Sequence, residues 1–507
     1  MKKSNVKVAA AIDIGSSVVR MQIAQWNGKT LSTLEELERG IHMGQEVFTA
    51  GRISFETVRT LSGILEEFTE LAKEYGPTRI QAVATTALRE ADNQALVLDR
   101  IRIRNRLDIS VLDEVEVNSL IFDAMLRERA PKAGKTLIVY AGTGTIGLAL
   151  REGEQISFTH SMETGLLKIM EMLRSVTEQT RRFDQVTREY LDRYLAPLLE
   201  MADFSVVDGL IFNNGYMEPL LSLFGAAEQG RGVTLKAEEI RAVWAEHRAL
   251  SLHQIASRYS MSSEDGGMLY ATLALLDGLL EMTGASRVLC SRARLTDALV
   301  GIALLPRARR SYRESMTEGT IATTFAISSH YHSDRNHILH QLNIAFALFE
   351  SLRRLHGLSP RQHILLQVAC ILHEIGEYTN TKNPQLTSAD LVKNMQIYGL
   401  SSHETRLVAH MLLPGGFPDE LPLSGEDELF VAKMHALLQL ADALDASHLQ
   451  KAAVERIELV ENRLEIHLRS NADFTLEWWM FQQAAPLLRE TFGIDPELYV
   501  ELTHKIN

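Results

Sequence analysis

The chain has only two cysteines in 507 residues, Cys290 and Cys370. Each lies inside an apolar run, which leaves no material for a disulfide framework or a cysteine-held zinc site. Long hydrophobic runs are also missing: no stretch reaches the ~18 to 20 apolar residues of a membrane-spanning helix. Positive charge is scarce, with 52 Lys and Arg against 65 Asp and Glu and a formal net charge of −13. That balance argues against broad binding to nucleic acid or a membrane surface, while leaving room for a local basic groove. The opening MKKSNVKVAAAIDIGSS has lysines, but its short apolar run enters a strand and turn at Asp13 rather than a cleavage site. No signal peptide is read, and the expected location is cytoplasmic. What is present is an ordinary globular composition, 46% hydrophobic and 23% charged. The length suits three or four domains of ~150 residues each.

Residues 7–14 (KVAAAIDI) predict a strand, GSS turns it, and the following segment alternates around an Asn27-Gly28 hairpin signal. Apolar residues at Val58, Leu61, Leu65, Phe68 and Leu71 share one face of a helix over about 54–75. A strand at 79–84, a helix near 92–105, a strand at 109–112 and a helix near 114–129 follow. LIVYAGTGTIGLAL (137–150) then restarts the strand-turn-strand opening, so the spacing predicts a duplicated α/β fold with a cleft between its halves. The composition turns polar and basic around 307–320, where a boundary is expected. Beyond it, successive amphipathic patterns predict a mostly α region, then a hairpin around Glu461-Asn462 and a last helix at 478–492.

Gly142 and Gly144 free the backbone for a tight turn of exposed N–H groups, which suits a phosphate. Phosphoryl transfer also needs a carboxylate to hold a cation or orient water, and residues 137–150 contain none.

Four stretches together resemble the exopolyphosphatase/guanosine pentaphosphate phosphohydrolase family, whose N-terminal half belongs to the actin-like ATPase superfamily. They are AAIDIGSSVVRMQI (10–23), AVATTALREADN (82–93), LDEVEVNSLIFDAM (112–125) and residues 137–150. Three later stretches, DRNHILHQLNIAFALFESL (334–352), ILHEIGEY (371–378) and LQLADALDASH (438–448), resemble the HD-type helical domain of long family members. The resemblance implies an α/β fold of two actin-like (ribonuclease H-like) subdomains over 5–130 and 131–308. It also implies a mostly α HD-like domain over 318–450 and a small α+β element over 451–507. A homodimer is implied by the same resemblance.

The resemblance further implies removal of terminal phosphates from inorganic polyphosphate or pppGpp with Mg²⁺. It places phosphate contacts at Asp13, Gly15, Ser16, Ser17, Thr85, Thr86, Arg89, Gly142, Thr143, Gly144 and Thr145, with Asp13 also a Mg²⁺ ligand. The water-activating glutamate falls at Glu116. The family's other two carboxylates are replaced by Tyr140 and Gly147, and bulky Arg292 and Arg294 stand where it has glycines, either filling the pocket or meeting an anion. Two readings therefore stay open: an active phosphohydrolase, or an impaired relative that holds a phosphate-rich ligand or a protein partner. In the helical region the resemblance marks His337, His373, Glu374 and Asp442 as metal ligands, with Glu374 replacing an aspartate. A lone histidine on a partly apolar helix face is more often a packed, hydrogen-bonded residue than a ligand.

Overall fold

The computed structural model describes residues 6–129, 134–153, 155–162, 164–177, 183–205, 207–215, 217–226, 232–380, 382–413, 417 and 423–502. The chain divides into two compact units, Met1–Gly319 and Thr320–Asn507.

The first unit carries two sheets of matching plan. Strands β1 (Lys7–Ile14), β2 (Val18–Trp26), β3 (Leu31–Gly40), β4 (Arg79–Ala84) and β5 (Ile109–Val111) form one sheet in the order β3-β2-β1-β4-β5. The second holds β6 (Lys135–Ala141), β7 (Ile146–Glu152), β8 (Gln155–Met162), β9 (Gly209–Asn213), β10 (Val233–Lys236) and β11 (Arg287–Cys290). Its order is β10-β11-β9-β6-β7-β8, so β8-β7-β6-β9-β11 repeats the first sheet and β10 extends the edge. In each sheet the first three strands run antiparallel, and the inner strand then pairs in parallel with its next neighbour, β1 with β4 and β6 with β9. Parallel pairing needs a crossover. In the first sheet this contains α1 (Met43–Ala50) and α2 (Phe55–Glu74). Helix α2 has its apolar stripe at Val58, Leu61, Leu65 and Phe68 buried, and Ser54 caps its N-terminus by accepting from the Thr57 amide. Helices α3 (Thr86–Glu90) and α4 (Gln94–Asn105) precede β5, and α5 (Glu114–Arg129) leads to the second sheet.

Strands β1 and β6 are buried along nearly their whole length, which explains why both read as apolar runs rather than alternating ones. Parallel strands with glycine turns at their carboxyl ends place those turns in the crevice where α/β folds bind ligands. Expectation and structure differ in places. The strands β8 and β10 and the helix α1 have no counterpart in the periodicity reading. The division into units falls within the stretch 307–320 where a boundary is expected, although the helix Pro306–His330 runs unbroken through it.

The second unit is mainly helical around one apolar core that includes Leu348, Leu366, Val408, Leu437 and Leu440. Its small sheet joins β12 (Ala452–Val460) and β13 (Arg463–Ser470), the expected hairpin, to β14 (Asp495–Leu502), which pairs with β13 in parallel. Helix Thr475–Phe492 connects the last two strands. Among the described residues no helix is long and apolar enough to cross a membrane.

Candidate active site and a candidate metal centre

The turn after β1 and its counterpart after β6 face one cavity of about 400 Å³ in the first unit. Gly15 makes the first turn possible: its amide donates to the Val18 carbonyl, and a Cβ there would lie 2.9 Å from that oxygen. The second turn is anchored by Gly165, where a Cβ would sit 2.3 Å from the Thr143 carbonyl oxygen. That close approach lets the Leu166 and Leu167 amides donate to the carbonyls of Gly142 and Thr143. Asp13, Gly15, Ser16, Ser17, Thr85, Thr86, Arg89, Gly142, Thr143, Gly144 and Thr145 all line the cavity.

Asp13 and Tyr140 occupy equivalent places, each two residues before the glycine of its turn. Asp13 is 9% exposed, and its Oδ1 is buried without a hydrogen-bond partner. Burial pushes its carboxyl up to about 6, partly offset by the Arg20 guanidinium opposite it in the β1–β2 register. Burial, and then the field of Asp13, pushes the Tyr140 hydroxyl up to about 12, so the phenol is neutral at working pH. At Gly147, the other position where the resemblance expects a carboxylate, a Cβ would lie 2.6 Å from the Asn118 side-chain amide. Asn118 lines the cavity and fills the space that a longer residue at 147 would need.

Glu116 is not among the cavity-lining residues. Its carboxylate accepts from the Asp113 amide at 3.0 Å while Asp113 accepts from the Glu116 amide at 2.9 Å, a reciprocal cap on α5. The cavity is lined instead by Glu114, Val117 and Asn118 from that helix. Glu114 lies 3.8 Å from the Arg89 guanidinium, which also donates to the Leu112 carbonyl. Arg292 turns away to Glu218 at 3.2 Å. Arg294 stays on the cavity wall, paired with Glu36 and Glu38 at 3.3 and 3.4 Å. The sequence reading missed Arg20, Glu114, Asn118, Glu264 and Asp265 among the lining residues.

In the second unit His337, His373, Glu374 and Asp442 each offer a ligand atom within 4.8 Å of all the others. Both rings are oriented from outside. His337 Nδ1 is 2.9 Å from Asp445 Oδ2, and His373 Nδ1 donates to the Cys370 carbonyl at 2.8 Å. Each Nε2 therefore faces the carboxylates, at 3.4 and 3.3 Å from Asp442 Oδ1. Burial opposes the His337 imidazolium, but the facing Asp442 carboxylate, the hydrogen bond to Asp445 and the field of Glu374 outweigh it and raise the ring to about 10. His373 is also raised: burial opposes its charge, and Asp442 overcomes it. Asp442 is held well below the carboxylate range because the two imidazole rings facing it outweigh burial.

Duplicated sheets of this order, with facing glycine turns, define the class of two-lobed actin-like α/β folds. More narrowly, the chain belongs to the Ppx/GppA phosphatase family, whose model matches residues 22–292. The model for domain III of the same family matches residues 321–491. A guanosine-5'-triphosphate,3'-diphosphate pyrophosphatase of Photobacterium profundum is 20% identical over 467 residues, covering 90% of this chain and 91% of that enzyme. Exopolyphosphatase 1 of Mycobacterium bovis is 23% identical over 227 residues, covering 44% of this chain and 66% of that enzyme. Among solved structures, an Aquifex aeolicus PPX-GPPA enzyme superposes with a TM-score of 0.53 at 21% identity, over 58% of this chain and 99% of its own. An exopolyphosphatase from Cytophaga hutchinsonii gives a TM-score of 0.51 at 17% identity, over 59% of this chain and 97% of its own. These last two likenesses establish the fold.

Proposed function

We propose that the cavity of the first unit hydrolyses the terminal phosphoanhydride of inorganic polyphosphate or of a guanosine polyphosphate with a divalent cation, Mg²⁺ by preference. The observation that carries this reading is the buried, partnerless Oδ1 of Asp13 between two phosphate-type turns. An orphaned carboxylate oxygen fits a hard cation, and Mg²⁺ is commonly held by one or two carboxylates plus substrate phosphates. An ion there supplies charge neutralisation at the transferring group. The hydroxyls of Ser16, Thr143 and Thr145 and the turn amides hold the terminal phosphate, and Arg89 meets its charge. Glu114, beside Arg89, is the carboxylate we assign to orienting the attacking water; Glu116 is committed to its helix cap.

A second reading, ligand binding without turnover, is favoured by the neutral Tyr140 and by the Asn118-filled space at Gly147. Phosphate release from long-chain polyphosphate and from pppGpp, measured beside calorimetric binding, separates the two. Release that depends on Asp13 and Glu114 supports hydrolysis; binding with no release supports the second reading. In the second unit we propose a bound divalent transition ion at His337, His373, Glu374 and Asp442. Two imidazoles and two carboxylates form a donor set suited to such ions. Metal analysis after dialysis tests this, with stoichiometric metal expected in the native chain and none in His337→Ala.

A further inference from the structure

A concavity of about 1030 Å³ in the first unit belongs to neither site. It lies between α4 and the segment joining α1 to α2. Ile103, Leu96 and Phe55, which line it, are 70%, 69% and 66% exposed, three of the four most exposed large hydrophobic residues among those described. Scattered exposed apolar residues need no explanation, but three around one groove do.

Helix α4 is apolar on two sides. Val97 and Ile101 are buried in the lobe, whereas Leu96 and Ile103, seven residues apart with Arg100 between them, form an outward stripe. A helix with a second apolar stripe has a second packing surface. The rim is basic. Arg52 and Arg100 have no carboxylate within ion-pair distance among the described residues, and Arg100 lies 4.1 Å from the Phe55 ring centroid. Arg104 is 3.6 Å from Glu66. Of the acidic lining residues, Glu46 is committed to Ser54 and Thr57, and Asp99 lies 3.6 Å from Arg102. The walls are fixed to each other: the Asp92 amide donates to the Gly51 carbonyl, and Asn93 and Ile53 exchange two hydrogen bonds. The groove is therefore preformed, and the 12 residues of α4 give a wall of about 18 Å, some three helical turns.

We infer that this groove docks an acidic amphipathic helix of a partner protein. The partner's apolar face lies on Phe55, Leu96 and Ile103, and its carboxylates meet Arg52, Arg100 and Arg104. An apolar floor with a cationic rim matches the helix-in-groove mode of recognition, and its concavity distinguishes it from a surface that lies on a membrane. The inference stands apart from the chemistry proposed above.

The test is a fluorescence anisotropy titration of the full chain with a dye-labelled 16-residue amphipathic helix built from Leu and Glu. Controls are a scrambled peptide of the same composition and a Leu/Lys twin. Saturable binding of the acidic helix is expected, at least tenfold weaker in Arg100→Glu and in Ile103→Asp. Both side chains are exposed, so both variants are expected to keep the wild-type melting temperature. Equal binding of the scrambled peptide, or unchanged binding in both variants, overturns the inference. So does self-association in sedimentation that Ile103→Asp abolishes, which would make a second copy the occupant, or binding to phosphatidylglycerol vesicles in place of the peptide.

Discussion

In the proposed site Asp13 is the buried carboxylate, and its charge state can be measured. Its carboxyl is raised from 3.8 to about 6, so the folded state favours the proton. The cost of an ionised Asp13 is therefore absent below about pH 4 and fully present above about pH 6. Asp13→Asn, melted in EDTA, is expected to be more stable than the native chain at pH 8, by up to about 3 kcal/mol, with the difference vanishing near pH 4. An equal shift at both pH values would refute the assignment. Gly147 offers a converse test. Because Asn118 occupies the space beyond it, Gly147→Glu is expected to destabilise the chain by about 1–3 kcal/mol, and pairing it with Asn118→Ala should recover much of that loss. Chemical denaturation of the single and double variants reads both values. The residue at 116 also shows what sequence could disclose. Asp113 followed by Glu116 is a helix-capping pattern, legible without a structure, and it competes with the family's placement of a catalytic glutamate. Glu264 and Asp265 carried no such signal, because only the fold brings the start of helix Ser263–Thr283 to the cavity.

At the scale of elements, both strand-turn-strand openings were legible because each pairs a buried apolar strand with a glycine turn. Strands β10 and β14 were not. β10 has four residues, and β14 is defined by parallel pairing to β13 rather than by a turn next to it. The second phosphate-type turn depends on the bare backbone of Gly165. Gly165→Ala is expected to displace Thr143 and cost about 3 kcal/mol, read as a lower melting temperature and weaker phosphate binding. In the second unit, helices Arg335–Ser351 and Gly425–Ala443 and the C-terminal end of helix Pro360–Leu372 bring the four ligand candidates together across 105 residues of sequence, a convergence that periodicity alone leaves undecided. Ligation requires neutral imidazoles, whereas the surrounding carboxylates overcome burial and hold the His337 ring well above its usual range. Zinc binding at pH 7.5 is therefore expected to release at least one proton and to tighten as pH rises toward 10. Calorimetry in buffers of different ionisation enthalpy measures this; binding without proton release would contradict the assignment.

For the whole molecule, family membership and the duplicated fold set the expectation of phosphoanhydride hydrolysis, while Tyr140 and Gly147 weigh against its efficiency. In the proposed reaction one buried carboxylate, Asp13, acts with Glu114 and Arg89. The most direct measurement is the rate of phosphate release from long-chain polyphosphate with Mg²⁺, in the native chain and in Asp13→Asn, Glu114→Gln and Glu116→Gln. Release is expected to fall at least a hundredfold in the first two variants and to stay within a few-fold of native in the third. Native release that survives Asp13→Asn, or is lost only in Glu116→Gln, would contradict it.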